Sequence, residues 1–191
     1  MLRSIVGSSD QALLASFLEE LHAEFPAFRI VPKADSRLSR AIDVALRVIT
    51  FGQMRTYMTR FHTVIGDTLY VPSGWDEVSP RSKVITLRHE RVHLRQRRRY
   101  SLPGMTVLYL LLPLPLGLAY GRARVEWEAY RETIAATLEL RGPDAALDPD
   151  LRRHIVEQFT SANYGWMWPF PWQVERWYDQ ALLELGLAEV E

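Results

Sequence analysis

The sequence predicts an α+β fold, mostly helical, with a small antiparallel β-hairpin before its central helix. Two observations carry this. Apolar residues recur at helical spacing in several segments, and between residues 57 and 71 the period drops to two. Ser, Asp, Pro and Gly stand at most of the boundaries, where caps and turns need them.

Ser9 or Asp10 can cap a first helix whose stripe is Leu13, Leu14, Phe17, Leu18 and Leu21, and Pro26 ends it. Phe28 to Val31 is a short extended stretch. A second helix over about 36–50 carries Leu38, Ile42, Ala45, Leu46 and Ile49 on one face, and Gly52 stops it. Tyr57, Thr59, Phe61, Thr63 and Ile65 alternate with Met58, Arg60, His62 and Val64. Gly66-Asp67 and Thr68-Leu69-Tyr70-Val71 follow, so the stretch reads as a hairpin. Ser79-Pro80 opens a long helix that Pro103-Gly104 closes. A further helix covers about 122–140 and ends at Gly142-Pro143. Asp148-Pro149 opens another to about Ser161, and a last helix covers about 173–185. With no clear linker, the chain reads as one domain over 1–191. Its core is 57–140, flanked by N-terminal helices over 9–50 and by C-terminal helices and an aromatic loop over 143–186.

Composition narrows the function classes. The chain has 191 residues, 48% hydrophobic and 24% charged, which allows burial of about 70% of the unfolded chain's surface and argues against disorder. Lys+Arg and Asp+Glu are 23 each, so nucleic acid is not an expected partner. No cysteine is present, which excludes disulfides, thiolate metal sites and a cysteine nucleophile. The N-terminus has no secretory pattern, and the expected location is cytoplasmic.

His89-Glu90-Arg91-Val92-His93 is an H-E-x-x-H motif. On a helix, positions i and i+4 share a face, so both imidazoles can address one zinc ion. Glu90 lies roughly 100° round the helix, placed to take a proton from water rather than to bind metal. A third ligand must come from elsewhere. Glu126 lies on the flank of the apolar face made by Trp127, Tyr130, Ile134 and Leu138, and Glu128 is displaced to the other side. At a spacing of two they cannot both face the metal, so Glu126 is the first candidate and Glu128 the runner-up. Glu132 is a more distant candidate. His62 and His154 have no spacing argument in their favour.

The motif in this setting resembles the zincin metallopeptidases, in particular gluzincins of the small M48-like or minigluzincin kind. In that family an edge strand precedes the H-E-x-x-H helix and pairs with extended substrate, and a glutamate opening E-x-x-A-D supplies the third ligand. Here Glu126-Trp127-Glu128-Ala129-Tyr130 puts Glu126 at the ligand position and Tyr130 where the family has aspartate. The likeness covers roughly 59–140. It implies a zincin-like domain with Zn²⁺ held by His89, His93 and Glu126, hydrolysing peptide or protein substrates by metal-activated water with Glu90 as general base. The Phe61 to Ile65 strand would be the substrate edge. Tyr130, His62 and Tyr164 are candidates for the oxyanion or for supporting a ligand.

Three features invite a second reading. Arg88, Arg91, Arg95 and Arg98 form a helical stripe, read either as a solvated face or as an anion-binding patch. Leu102 to Gly121 has no charged residue and is about as long as a membrane span, but Pro103, Pro113 and Pro115 argue against one continuous helix. A crossing would also separate Glu126 from the histidines by a bilayer, so the segment reads as a buried or membrane-touching hairpin. Tyr164, Trp166, Trp168, Phe170 and Trp172 read as a core plug or as a cleft wall. The alternative to an enzyme is a membrane-surface or scaffold protein using the 102–121 hairpin and the Arg stripe. The oligomeric state is not legible.

Overall fold

The computed structural model describes residues 2–49, 57–60, 62–110, 119–161 and 167–187. It is a mostly helical α+β structure with one small mixed sheet. In order the elements are α1 (Leu2–Glu24), β1 (Arg29–Pro32), a 3-10 turn (Lys33–Asp35), α2 (Arg37–Ile49), α3 (Tyr57–Arg60), β2 (Thr63–Ile65), β3 (Thr68–Val71), α4 (Pro80–Leu110), α5 (Tyr120–Arg141), α6 (Pro143–Ala146), α7 (Pro149–Thr160) and α8 (Pro171–Glu184). The chain forms two compact units, residues 1–90 and 91–191, and the division falls inside the continuous helix α4.

In the first unit the strand order is β1-β3-β2. β2 and β3 form the expected hairpin, with Val64 opposite Leu69. Its two-residue loop begins at Gly66 with φ 62°, a region open to glycine at no steric cost. The Phe28 to Val31 stretch becomes β1, which runs parallel to β3 with Ile30 opposite Leu69. The central strand β3 buries Thr68, Leu69 and Val71. Phe17, Leu21, Phe25 and Phe28 supply further core from α1 and the turn after it, and Val84, Ile85 and Leu87 supply it from α4.

Four local expectations are corrected. First, α1 starts at Leu2 rather than at Ser9 or Asp10, so neither residue caps it. Asp10 instead accepts a hydrogen bond of 2.8 Å from Arg81 Nε on α4. Second, residues 57–60, read as the start of the hairpin strand, form the helical turn α3, and β2 is only three residues long. Tyr57 is buried there, which a local turn achieves as well as a strand does. Third, part of the expected α2 stripe faces outward: Leu38 and Ala45 are exposed and Ile42 is half-buried, while Ser39 and Asp43 are buried. Fourth, α4 passes through Pro103-Gly104 to Leu110. A mid-helix proline loses one backbone hydrogen bond, but its ring fixes φ at about −65°, which a helix accepts, and Met105, Leu108 and Leu110 are good helix formers.

The second unit packs α5, α7, α8 and residues 167–170. Ala123, Trp127 and Ile134 from α5 meet Ile155 and Phe159 from α7, and Val174, Tyr178, Ala181 and Leu182 from α8. Met167 and Trp168 are buried in this cluster, so the described part of the aromatic loop is a core plug, while Phe170 and Trp172 are exposed. The Trp168 indole donates to Gln173 Oε1 at 2.9 Å and its ring stacks on Trp177 at 6.3 Å. Asp148 caps α7 by accepting from the Asp150 backbone N–H at 2.8 Å. Tyr178 donates to the Ala146 carbonyl at 2.9 Å, and burial raises its hydroxyl pKa to about 12. Among the described residues, no helix is long and apolar enough to cross a membrane. Pro113 and Pro115, central to the expected 102–121 hairpin, lie outside the described residues.

Candidate metal centre

α4 and α5 supply the residues that converge. His89, His93 and Glu126 each offer one ligand atom, and these atoms lie within 4.8 Å of one another. All three side chains are half-buried. Among the described residues this is the group of His, Asp and Glu side chains with the proximity a metal ion needs. His89 and His93 stand one turn apart on α4. Glu126 is in the second turn of α5, between the buried neighbours Val125 and Trp127 that fix the helix's rotation.

Gln96 settles the orientation of His93. Its Nε2 donates to the Val125 carbonyl at 2.9 Å and to Glu128 Oε2 at 2.8 Å. Its Oε1 must therefore face His93, and Nδ1–H of His93 donates to it at 2.9 Å. That leaves Nε2 of the neutral ring as a lone pair, 3.6 Å from Glu126 Oε2. A lone pair facing a carboxylate oxygen is repulsive unless a cation or a proton lies between them. The separation is longer than a good hydrogen bond. It is close to the roughly 3.3 Å between two donors of a tetrahedral zinc ion with bonds of about 2.0–2.1 Å. Two imidazoles and a carboxylate are also a donor set that zinc accepts. The chain's residues thus fit the ion.

Glu128, the alternative to Glu126, is engaged by Gln96 and lines a surface groove with Val92, Arg131 and Glu132. The structure does not place it in the converging group. Tyr130 sits with its ring 5.5 Å from Phe159, against the apolar cluster of the second unit. Gln96 contacts His93 directly. His154 is exposed on α7 beside Gln158. Tyr164 and Phe61 lie outside the described residues.

Glu90 is buried, on the side of α4 that faces the first unit's interior. There it feels the charge of Lys33, whose residue is fully buried. Lys33 Nζ donates to the Tyr57 carbonyl at 2.7 Å and lies 3.5 Å from the centre of that ring. Burial lowers its pKa to about 8, against the pull of Asp43 and Glu90 in the other direction. His62 packs edge-on against Trp75 at 5.2 Å, and its Nε2 is buried without a hydrogen-bond partner among the described residues. Burial, and then Lys33, push its pKa down to about 4, so it is neutral at physiological pH.

The sequence reading missed Gln96 and Lys33. Gln96 carried a usable signal, because it lies three residues after His93 and so on the same face of a helix. Lys33, in Pro-Lys-Ala-Asp, reads as an exposed turn and gave none. No family model matches this chain, and neither a curated protein nor a solved structure matches it.

Proposed function

We propose that this protein is a zinc-dependent metallopeptidase of gluzincin type. The observation that carries the reading is the convergence of His89, His93 and Glu126 on one point, with His93 turned so that its lone pair faces the Glu126 carboxylate. Zinc bound there would act as a Lewis acid, polarising a substrate carbonyl and making water more acidic. Glu90, next to the first histidine and outside the ligand group, is the carboxylate that would accept the proton of the attacking water. It then passes that proton to the amide nitrogen of the departing amine, which leaves as a neutral group. Gln96 keeps His93 in the tautomer that can bind metal. β2, at the sheet's edge, is the strand proposed to pair with the main chain of an extended peptide.

The test is zinc per chain, measured by elemental analysis on zinc-supplemented protein. The wild type and Glu128→Ala should each carry about one zinc, and His89→Ala and Glu126→Ala should carry little. Glu90→Gln should keep its zinc and lose peptide hydrolysis by a factor of about 100 or more. A zinc-free wild type would overturn the proposal.

A further inference from the structure

Helix α2 turns two polar residues inward and leaves part of its apolar surface outside. Ser39 and Asp43, one turn apart, are buried, whereas Val48 is 70% exposed, Val44 61% and Leu38 46%. Ala41 and Ala45 are exposed as well. At about 100° per residue these five side chains form one apolar arc of roughly 120°. The inward side is held in place. The Ser39 N–H donates to Ser36 Oγ at 3.0 Å, and Asp43 is a charge partner of the buried Lys33. Turning the helix over to bury the valines would strip a buried ammonium of its counter-charge, so the apolar arc stays outside.

The arc has a cationic border. Arg40 and Arg47, both exposed, lie along one flank, and Arg37, also exposed at the first turn, projects within the arc between the directions of Val44 and Val48. Arg47 also reaches back to Asp43 at 2.7 Å. The chain as a whole has 23 basic and 23 acidic residues, so this is a local charge pattern rather than an overall one.

We propose that the outward face of α2 docks on an anionic lipid surface. An apolar arc with arginines on its flank is the pattern of a helix lying in a membrane interface, where apolar side chains enter the acyl boundary and guanidinium groups meet lipid phosphates. A second copy of the chain fits the face less well. A two-fold axis through it would bring the arginines of both copies together. Five Leu, Val and Ala side chains also supply roughly 300 Å², against about 800 Å² per partner in a stable protein interface.

The test is co-sedimentation of the full-length chain with phosphatidylcholine vesicles, made with and without phosphatidylglycerol. Binding to the anionic vesicles and much weaker binding to the neutral ones is expected. The double variant Val44→Asp/Val48→Asp should lose about tenfold or more of that binding. Arg37→Gln/Arg40→Gln should lose several-fold, and added salt should weaken the wild type in the same way. These side chains are exposed, so far-UV circular dichroism and zinc content should not change. The arginine pair stands as an independent readout should the aspartates disturb the helix. No binding, equal binding to both vesicle types, or binding that survives both double variants would overturn the proposal. A lipid-free dimer that Val48→Asp dissociates would assign the face to a second copy and overturn it as well.

Discussion

Gln96 decides which nitrogen of His93 is available, and this has a measurable consequence. Gln96→Leu removes the acceptor for Nδ1–H and also the donor to Val125 and Glu128. Zinc affinity should fall by about 10- to 100-fold, measured by competition with a chromogenic chelator. Glu128→Gln keeps an acceptor for Gln96 and should change affinity far less. His62 gives a second residue-level expectation. Its pKa is about 4 when folded and 6.5 in the reference state, lowered first by burial and then by Lys33. Between those values the unfolded chain binds more protons than the folded one, so stability falls as pH drops from 6.5 towards 4. Above 6.5 the ring is neutral in both states and the contribution is complete. The loss should approach 2–3 kcal/mol at pH 4, and His62→Phe should remove that part of the slope in urea titrations at pH 7 and pH 4.5. The H-E-x-x-H spacing made two imidazoles legible on one helix face. The choice between Glu126 and Glu128 was weaker, because it depends on helix rotation, which burial of Val125 and Trp127 sets in three dimensions.

Among the elements, legibility followed the locality of the signal. The Asp148-Pro149 cap, the Ser79-Pro80 start of α4 and the Gly66-Asp67 turn each depend on two or three neighbouring residues, and each appears where local chemistry places it. The alternation at 57–60 failed because a single turn of helix can bury Tyr57 without extending the hairpin. The outward setting of Leu38 and Ala45 on α2 has a reason absent from any local window: Lys33 is buried with Asp43 as a charge partner, so Asp43 points inward. α6 was not anticipated, because Gly142-Pro143 reads as a stop and only one turn of helix follows it. Gly142 joins α5 to α6 with φ 89° and ψ 175°, a region almost confined to glycine. A Cβ there meets nothing within 4 Å, so Gly142→Ala isolates the backbone term. It should destabilise the protein by about 1–3 kcal/mol in denaturant titration, with zinc content unchanged.

At the scale of the whole molecule, the fold's stability and the proposed metal are linked. The second unit has an apolar cluster of its own, built on Trp127, Phe159, Trp168 and Tyr178, and exposed ion pairs such as Arg131–Glu184 and Arg152–Asp179 add little to it. The proposed ligands lie on α4 and α5 and do not belong to that cluster. Without an ion, His93 Nε2 and Glu126 Oε2 face each other at 3.6 Å with no metal between them. A ligand that binds only the folded chain stabilises it by about 4 kcal/mol when free ligand exceeds the dissociation constant a thousandfold. For a chain of this size each kcal/mol moves the melting temperature by about 2–4 °C. Chelation with EDTA should therefore lower the melting temperature by roughly 10 °C, and zinc added back should restore it. Glu126→Ala should melt at the lower temperature and not respond to EDTA, whereas Glu128→Ala should still respond. The same scan separates the metal centre from the surface of α2. Val44→Asp/Val48→Asp should keep the full EDTA shift while losing vesicle binding, because a lipid-facing arc contributes nothing to a site built from two imidazoles and a carboxylate. An EDTA-insensitive wild type would count against bound zinc in this fold and leave the α2 surface to be judged on its own evidence.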